Sequence, residues 1–147
     1  TPFVDYPIFI NLDFSFREKI FLPKKSMILT DFPVLFTAYV YHLAKEEILA
    51  EKIRAIMTRK KGRDFYDIWF LLAQKTELNK QLIKKKLSYY QLHQIEWADI
   101  TKRIKQFSER NFIQDLKPFV SFDQRERLGQ FFNYLKEGLE KLLSETN

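Results

Sequence analysis

Apolar and polar residues alternate along the amino-terminal part of the chain. Ile8, Ile10, Leu12, Phe14 and Phe16 are separated by mostly polar neighbours. This period of two predicts a strand with one apolar face and one polar face.

Two further strand candidates follow at residues 27–32 and 34–41, where β-branched and aromatic side chains are frequent. The segment Pro23-Lys24-Lys25-Ser26 predicts the turn before them, and Pro33 separates them. A sheet of two or three strands needs a covering layer. We therefore expect helices to pack on it, or further strands to complete it.

From Lys45 onward, the apolar positions recur with the period of a helix. The Lys60-Lys61-Gly62 loop ends the first predicted helix, and Asn79 suits the N-cap of the third. The fold class is therefore expected to be α+β, with a helical region over residues 44–147 that packs as one compact unit. The predicted helices span residues 45–59, 63–74, 79–90, 96–110 and 123–144, with a short segment at residues 115–116.

Composition narrows the chemistry that this chain can perform. Its 147 residues fit one domain, and they include no cysteine and two histidines. A zinc ribbon, a disulfide scaffold, a thiol nucleophile and a polyhistidine metal centre are thereby excluded. The net charge of +6 suggests an anionic partner such as a nucleotide or nucleic acid, although many soluble domains carry as much. No segment resembles a signal peptide or a membrane span, so a cytoplasmic protein is the simplest expectation.

Lys52 lies inside the apolar stripe of the first predicted helix. On a helical wheel it falls between Ile48 and Ile56, whereas Glu47 and Glu51 fall on the far side. Because burying an unpaired ammonium is costly, such a lysine is kept where it has an anionic partner. The alternative is that Lys52 lies at the edge of the stripe and extends its ammonium to water.

The second predicted helix is apolar around most of its circumference, except for a polar strip of Arg63, Asp64 and Asp67. This strip is expected to face a cleft or a partner. Alternatively, Asp64 complements the positive end of the helix, and Asp67 pairs with Arg63 at i+4. The preceding loop, residues 58–63, carries four positive charges beside a helix N-terminus. That arrangement suits a phosphate, although such turns are usually only exposed.

Together these segments resemble the nucleotidyltransferase toxins of the AbiEii/AbiGii class, from bacterial abortive-infection and type IV toxin–antitoxin systems. The resemblance is tight over residues 48–72 and looser in the strands and the helical tail. It is carried by the string Ile48-Leu49-Ala50-Glu51-Lys52-Ile53-Arg54-Ala55-Ile56, by Arg59, and by Arg63-Asp64-Phe65-Tyr66-Asp67-Ile68.

The resemblance implies a DNA polymerase β-like nucleotidyltransferase fold, of which residues 1–43 would form the last sheet strands. It implies an enzyme that binds a nucleoside triphosphate (NTP) and Mg²⁺ and transfers a nucleotidyl group to an acceptor. The acceptor is left open between tRNA, protein and a small molecule, and an antitoxin protein is a further expected partner. In the implied site, Lys52 contacts the NTP phosphates with Arg59 and Arg63, and Lys52, Asp64 and Asp67 form the catalytic group.

One departure separates this chain from the family pattern. The upstream glycine-serine turn and Asp-x-Asp strand, which hold the nucleotide and the metals, are missing, since the only glycines are the unpaired Gly62, Gly129 and Gly138. Asp13 is a candidate metal ligand on the first predicted strand, or else a residue on its solvent face. The chain is therefore expected to be the carboxy-terminal part of the enzyme and to be inactive alone.

A second hypothesis is a non-catalytic helical module that binds nucleic acid or an antitoxin. It predicts binding that weakens steeply with salt and does not need Lys52. The nucleotidyltransferase hypothesis predicts instead that Lys52 and Asp64 lie close together in one cleft that opens toward Asp13. For the lysine run 84–86, a solvated helix face is the simplest interpretation. The module would use Lys84, Lys85, Lys86, Lys102, Arg103 and Lys105, with Tyr89 and Tyr90 as stacking groups.

Overall fold

The computed structural model describes Asn11, residues 18–31 and residues 37–144. Within these ranges, a two-stranded antiparallel sheet precedes six α-helices, so the predicted α+β class is confirmed. Strand β1 is Pro23–Met27 and strand β2 is Tyr39–Leu43. Their register pairs Pro23 with Leu43 and Met27 with Tyr39.

The helices follow one another closely along the chain. Asn79 caps the third, as predicted, because its side chain accepts a hydrogen bond from the backbone N–H of Leu82 at 2.9 Å. Short 3₁₀ turns at Lys117–Phe119 and Phe122–Arg127 lead into the last helix. The helices are α1 Lys45–Thr58, α2 Gly62–Ala73, α3 Lys80–Tyr89, α4 Trp97–Lys105, α5 Glu109–Leu116 and α6 Leu128–Ser144.

The strand predictions were partly wrong. Residues 23–26 were predicted as a turn but form most of β1. Of the strand predicted over residues 27–32, only Met27 belongs to β1, as its last residue. Every β1 residue is exposed, so no alternation of buried and exposed side chains marks this strand. The segment is a strand because its backbone pairs with β2. The ammonium of Lys25 lies over the rings of Tyr39 and Tyr41, at 4.9 and 5.6 Å. The strand predicted from Ile8 to Phe16 lies outside the described residues.

The fourth predicted helix, residues 96–110, is in fact two helices. Helix α4 ends at Lys105, and α5 begins at Glu109, where the side chain of Ser108 accepts from the backbone N–H of Asn111. Phe107 lies in the connection, is buried, and stacks on Phe65 with ring centroids 4.8 Å apart. The break therefore turns an aromatic residue into the core.

Helices α1 and α2 lie at the centre of the packing. Helix α2 contacts α1, α5 and α6, whereas α3 packs against another side of α1. The core beneath them includes Ile53, Ile56, Phe65 and Ile68, all fully buried. None of the helices in the described ranges is long and apolar enough to cross a membrane.

The interpretation of residues 84–86 as a solvated helix face is wrong for Lys86. Its side chain is buried, and its ammonium lies 2.7 Å from Glu47 and 2.6 Å from Glu51. The wheel had also placed Glu47 on the far side of α1, yet Glu47 is fully buried. The physical reason is that α3 covers this face of α1 and brings the partner charge with it.

Candidate functional site

Lys52 of α1 has the anionic partners that its position in the stripe predicts. Its ammonium lies 2.6 Å from a carboxylate oxygen of Asp67 and 3.3 Å from one of Asp64, both on α2. The side chain is 29% exposed and lines a cavity, so it is neither fully buried nor free in solvent. The close approach of Lys52 to Asp64, predicted from the sequence, is therefore present.

Asp64 is the buried anchor of the cluster. Its side chain is 2% exposed and receives two hydrogen bonds from the guanidinium of Arg59, at 2.7 Å from Nε and 3.0 Å from Nη2. Burial alone would raise the pKa of Asp64. The hydrogen bonds from Arg59, together with the charges of Arg59 and Lys52, outweigh burial and hold the pKa below its ordinary value. Asp64 is therefore a permanent anion at neutral pH.

The same contacts keep the two cations charged. For Lys52, burial would lower the pKa, but the hydrogen bond and charge of Asp67 and the charge of Asp64 raise it overall. For Arg59, the hydrogen bonds to Asp64 are the main cause of a raised pKa. The site therefore holds fixed positive charge next to a buried carboxylate.

The loop of residues 58–63, which we call the basic loop, is held in place by residues that the sequence pattern did not identify. The backbone N–H of Gly62 donates to a carboxylate oxygen of Asp115 at 2.6 Å, and the ammonium of Lys61 lies 3.5 Å from the same carboxylate. The guanidinium of Arg63 lies 4.9 Å from the ring centre of Phe119. Asp67 pairs with Lys52 and not with Arg63 at i+4, the alternative that the sequence had left open. Asp115 and Phe119 are distant in sequence from the loop, so no local signal reveals them.

One cavity of about 470 Å³ collects these side chains, and we call it the basic cleft. Its lining carries four cations and two carboxylates, so two positive charges are in excess. The residues predicted as catalytic or phosphate-binding that lie on α1, α2 and their loop all reach it. The lining residues are Lys52, Arg59, Lys61, Arg63, Asp64, Tyr66, Asp67, Leu116 and Phe119.

The carboxylates of the basic cleft do not fit a Mg²⁺ site. Asp64 is bound by Arg59 and Lys52, and Asp67 is bound by Lys52, so their oxygens already face cations. Across residues 18–31 and 37–144, no group of three or more acidic or histidine residues is placed to hold a metal ion. Asp13, the metal ligand predicted from the sequence, lies outside the described residues. The basic cleft thus suits an anion.

The surface predicted by the second hypothesis loses one of its members, and another is partly engaged. Lys86 is buried in its ion pairs. The hydroxyl of Tyr90 donates to Glu18, and the guanidinium of Arg54 lies 4.1 Å from the ring centre of Tyr90. The rings of Tyr89 and Tyr90 both remain exposed. Lys86 therefore does not belong to the predicted surface, whereas the tyrosine pair stays accessible.

Comparison with known proteins identifies a family. The model of that family, described as the nucleotidyl transferase AbiEii toxin of a type IV toxin–antitoxin system, matches residues 4–141. No curated protein and no solved structure matches the chain.

Proposed function

The chain belongs to the AbiEii family of nucleotidyl transferase toxins of type IV toxin–antitoxin systems, and we propose that its basic cleft binds the phosphates of an NTP. The observation that carries this proposal is that charged side chains from α1, the basic loop and α2 meet in one cavity. Lys52 from α1, Arg59 and Arg63 from the loop and the first turn of α2, and two carboxylates of α2 line one cavity. Fixed cations with two positive charges in excess suit a polyphosphate.

The chemistry of nucleotidyl transfer explains why such cations matter. The acceptor nucleophile attacks the α-phosphorus and forms a bond to it, while the bond to the bridging oxygen breaks. Pyrophosphate leaves with the electron pair, and the proton of the acceptor passes to a base or to water. Negative charge grows on the leaving group, so cations already held in position stabilise it without reorganisation. We assign this task to Lys52, Arg59 and Arg63.

The carboxylates of Asp64 and Asp67 complete the catalytic group predicted from the sequence, and we assign them a positioning task. Asp64 is buried and holds Arg59 and Lys52 at once, so it fixes the distance between two phosphate-binding cations. Asp67 is 36% exposed, and among the described residues its ion pair is with Lys52. A phosphate that enters the basic cleft can therefore take the place of Asp67 on the ammonium while Asp64 keeps it in position.

The family implies both an NTP and Mg²⁺, and the residues of the basic cleft fit only the NTP. Its cations fit the triphosphate, but its carboxylates are already paired with those cations. When bound, Mg²⁺ would supply charge neutralisation at the phosphates. The acceptor stays open between tRNA, protein and a small molecule.

We propose that the chain has two parts. Residues 1–43 would belong to the sheet of a DNA polymerase β-like nucleotidyltransferase core, and residues 44–147 would form its helical carboxy-terminal region. Since the sequence holds no glycine-serine turn and no Asp-x-Asp strand, these residues alone would be inactive. The intact enzyme would act in the cytoplasm, together with the antitoxin of its system.

NTP binding by the full-length protein tests the proposal. We expect Lys52→Ala to weaken NTP binding, measured by isothermal titration calorimetry, by about tenfold or more, because a charge-assisted contact to phosphate is lost. Lys45→Ala is the matched control. Lys45 lies on the same helix, is exposed, and donates to Gln74 outside the basic cleft. Unchanged NTP affinity in Lys52→Ala, with circular dichroism showing a folded protein, would overturn the proposal.

A further inference from the structure

Lys60 is the one cation of the basic loop, residues 58–63, that does not line the basic cleft. The loop's other cations are engaged: Arg59 with Asp64, Lys61 with Asp115, and Arg63 over an aromatic ring. Within the described ranges, Lys60 makes no ion pair and no hydrogen bond. It lies between two residues of the basic cleft in sequence, yet it does not line that cavity.

Lys60 lines a separate cavity of about 390 Å³, which we call the Lys60–Arg103 pocket. Its lining contains two cations, three neutral polar side chains, one aromatic ring and no carboxylate. The basic cleft differs, since two carboxylates there partly neutralise its cations. The other lining residues of the pocket are Arg103, Gln106, Phe107, Ser108 and Asn111.

The guanidinium of Arg103 is bonded within the protein through Nε, whereas its two terminal nitrogens are not. Its Nε donates to the backbone carbonyl of Ile56, in the last turn of α1, at 2.9 Å. Its two terminal nitrogens make no hydrogen bond or ion pair with the described residues. A guanidinium held by Nε keeps a planar pair of donors, a geometry that matches two oxygens of a phosphate group.

The base of the pocket is rigid and connected to the basic cleft. Phe107 is 6% exposed and stacks on Phe65, the residue that follows Asp64 in α2. The side chain of Glu109, the acidic residue nearest in sequence, extends to Gly129 of α6, where its Oε1 lies 2.7 Å from the position that a Cβ on that glycine would take. Glu109 does not line the pocket.

We propose that the Lys60–Arg103 pocket is a second phosphate-binding site, distinct from the basic cleft. Two cations without acidic partners line the pocket together with hydroxyl and amide groups and the buried ring of Phe107, a combination that recognises an anion with several oxygens. The phosphate group is carried by a nucleic-acid strand or by a free nucleotide. This inference does not rest on the proposed function, because binding at the pocket requires no transfer step.

A pair of charge-matched variants of the full-length protein tests the pocket. The test variant is Lys60→Gln with Arg103→Gln, and the control is Lys102→Gln with Lys105→Gln, which removes two exposed cations of α4 that do not line the pocket. Binding of a fluorescein-labelled single-stranded RNA is followed by anisotropy, and binding of ATP by calorimetry. We expect the test variant to weaken one of these probes about tenfold and the control less than twofold.

The two probes distinguish the sources of the phosphate. Loss of RNA affinity alone identifies a backbone phosphate, and the dependence of affinity on salt should then become shallower by about one phosphate contact, a slope change of roughly 0.7. Loss of ATP affinity alone identifies a free nucleotide, and loss of both identifies a site that accepts either. An equal loss in the test and control variants would overturn the proposal, since total charge would then explain it. Unchanged binding of both probes would overturn it as well.

Two further measurements keep the result unambiguous. The single variant Lys60→Gln breaks no hydrogen bond or ion pair of the described residues, so it reports on the pocket even where loss of the Arg103 contact to Ile56 destabilises the protein. It is expected to show part of the loss found for the double variant. Lys52→Ala separates the two sites, because it should weaken ATP binding in the basic cleft and leave RNA binding at the pocket intact.

Discussion

The ammonium of Lys86 on α3 lies 2.7 Å from the carboxylate of Glu47 on α1, and both side chains are buried. The same ammonium lies 2.6 Å from Glu51 and donates to the backbone carbonyl of Lys19. Glu47 also accepts hydrogen bonds from the backbone N–H groups that lead into β1. This charge cluster therefore joins α1, α3 and the start of the strand pair, and it lies on the helix that carries Lys52.

Removing the central cation of this cluster should destabilise the fold. Lys86→Met leaves the buried carboxylate of Glu47 without its cation, whereas Glu51 keeps its pair with Arg54. Breaking a buried pair costs about 3 to 5 kcal/mol of unfolding free energy. Urea denaturation followed by circular dichroism measures the change. Lys84→Met is the control, because Lys84 belongs to the same lysine run but is exposed. Equal stability of the two variants would show that the Lys86 contacts do not hold the helices together.

The cluster also predicts how stability changes in acid. Burial would raise the pKa of Glu47, but the hydrogen bonds from Lys86 and from two backbone N–H groups outweigh it and lower the pKa below the ordinary value of 4.5. The stabilisation is complete above pH 4.5 and is lost as the pH falls through the lowered folded pKa. The pKa of Lys86 is raised, despite the opposing effect of burial, so its part is lost only above its ordinary value of 10.5.

Glu47→Gln should therefore flatten the acid limb of the stability curve. We expect the parent protein to lose unfolding free energy below pH 4.5 and the Glu47→Gln variant, already weaker at pH 7, to lose less over the same range. Denaturation at a series of pH values measures both curves. Glu46→Gln, a neighbour outside the cluster, should keep the parent's acid loss. Parallel curves for Glu47→Gln and the parent would contradict this assignment.

The sequence predicted the basic cleft better than it predicted the charge cluster. The contacts of Lys52 with Asp64 and Asp67 join consecutive helices, so a wheel for each helix places the polar strip of one against the lysine of the other. Lys86 reaches Glu47 from a helix that follows two others, and a wheel of α1 gives no sign of that cover. A wheel of one helix therefore predicts that a charged residue on its outer face is exposed to solvent, even where a later helix covers that face.

The strand and helix boundaries show a similar limit. Lys24, Lys25 and Ser26 are consecutive polar residues, so β1 has no alternation of apolar and polar positions, and only pairing with β2 makes the segment a strand. Phe107 continued the apolar period of α4, but stacking on Phe65 favours a break that turns the ring inward. Ser108 gives the local signal for this break, since it is a good N-cap for α5. Contacts between residues distant in sequence therefore determine both where β1 forms and where α4 ends.

The two carboxylates of the basic cleft should differ in their importance for folding. Asp64 is buried and receives three hydrogen bonds from two cations, so Asp64→Asn should cost about 1.5 to 3 kcal/mol of unfolding free energy. Asp67 is 36% exposed, and Asp67→Asn should cost less than about 1 kcal/mol because solvent screens its pair with Lys52. Chemical denaturation of both variants tests the order. A larger loss for Asp67→Asn would contradict the role of Asp64 as the buried anchor.

Gly62 should tolerate no side chain, because the basic loop enters α2 in contact with the backbone of α5. A Cβ at this position would lie 2.6 Å from Cα of Phe112 and 3.0 Å from its carbonyl oxygen, and neither atom can turn away as a side chain can. Gly62→Ala should therefore cost about 1 to 3 kcal/mol of unfolding free energy and displace the loop that carries Arg59 and Lys60.

Gly129→Ala is the matched control for this effect. A Cβ there would lie 2.7 Å from Oε1 of Glu109, the movable end of a flexible side chain, in a helix where alanine is favoured over glycine by roughly 0.5 to 1 kcal/mol. Thermal or urea denaturation should find this variant as stable as the parent or more so. NTP affinity should fall with Gly62→Ala and not with Gly129→Ala, because the first variant moves the cations of the basic cleft. If Gly62→Ala matched the parent in stability and NTP affinity, the close packing of α2 on α5 would not be what positions the loop.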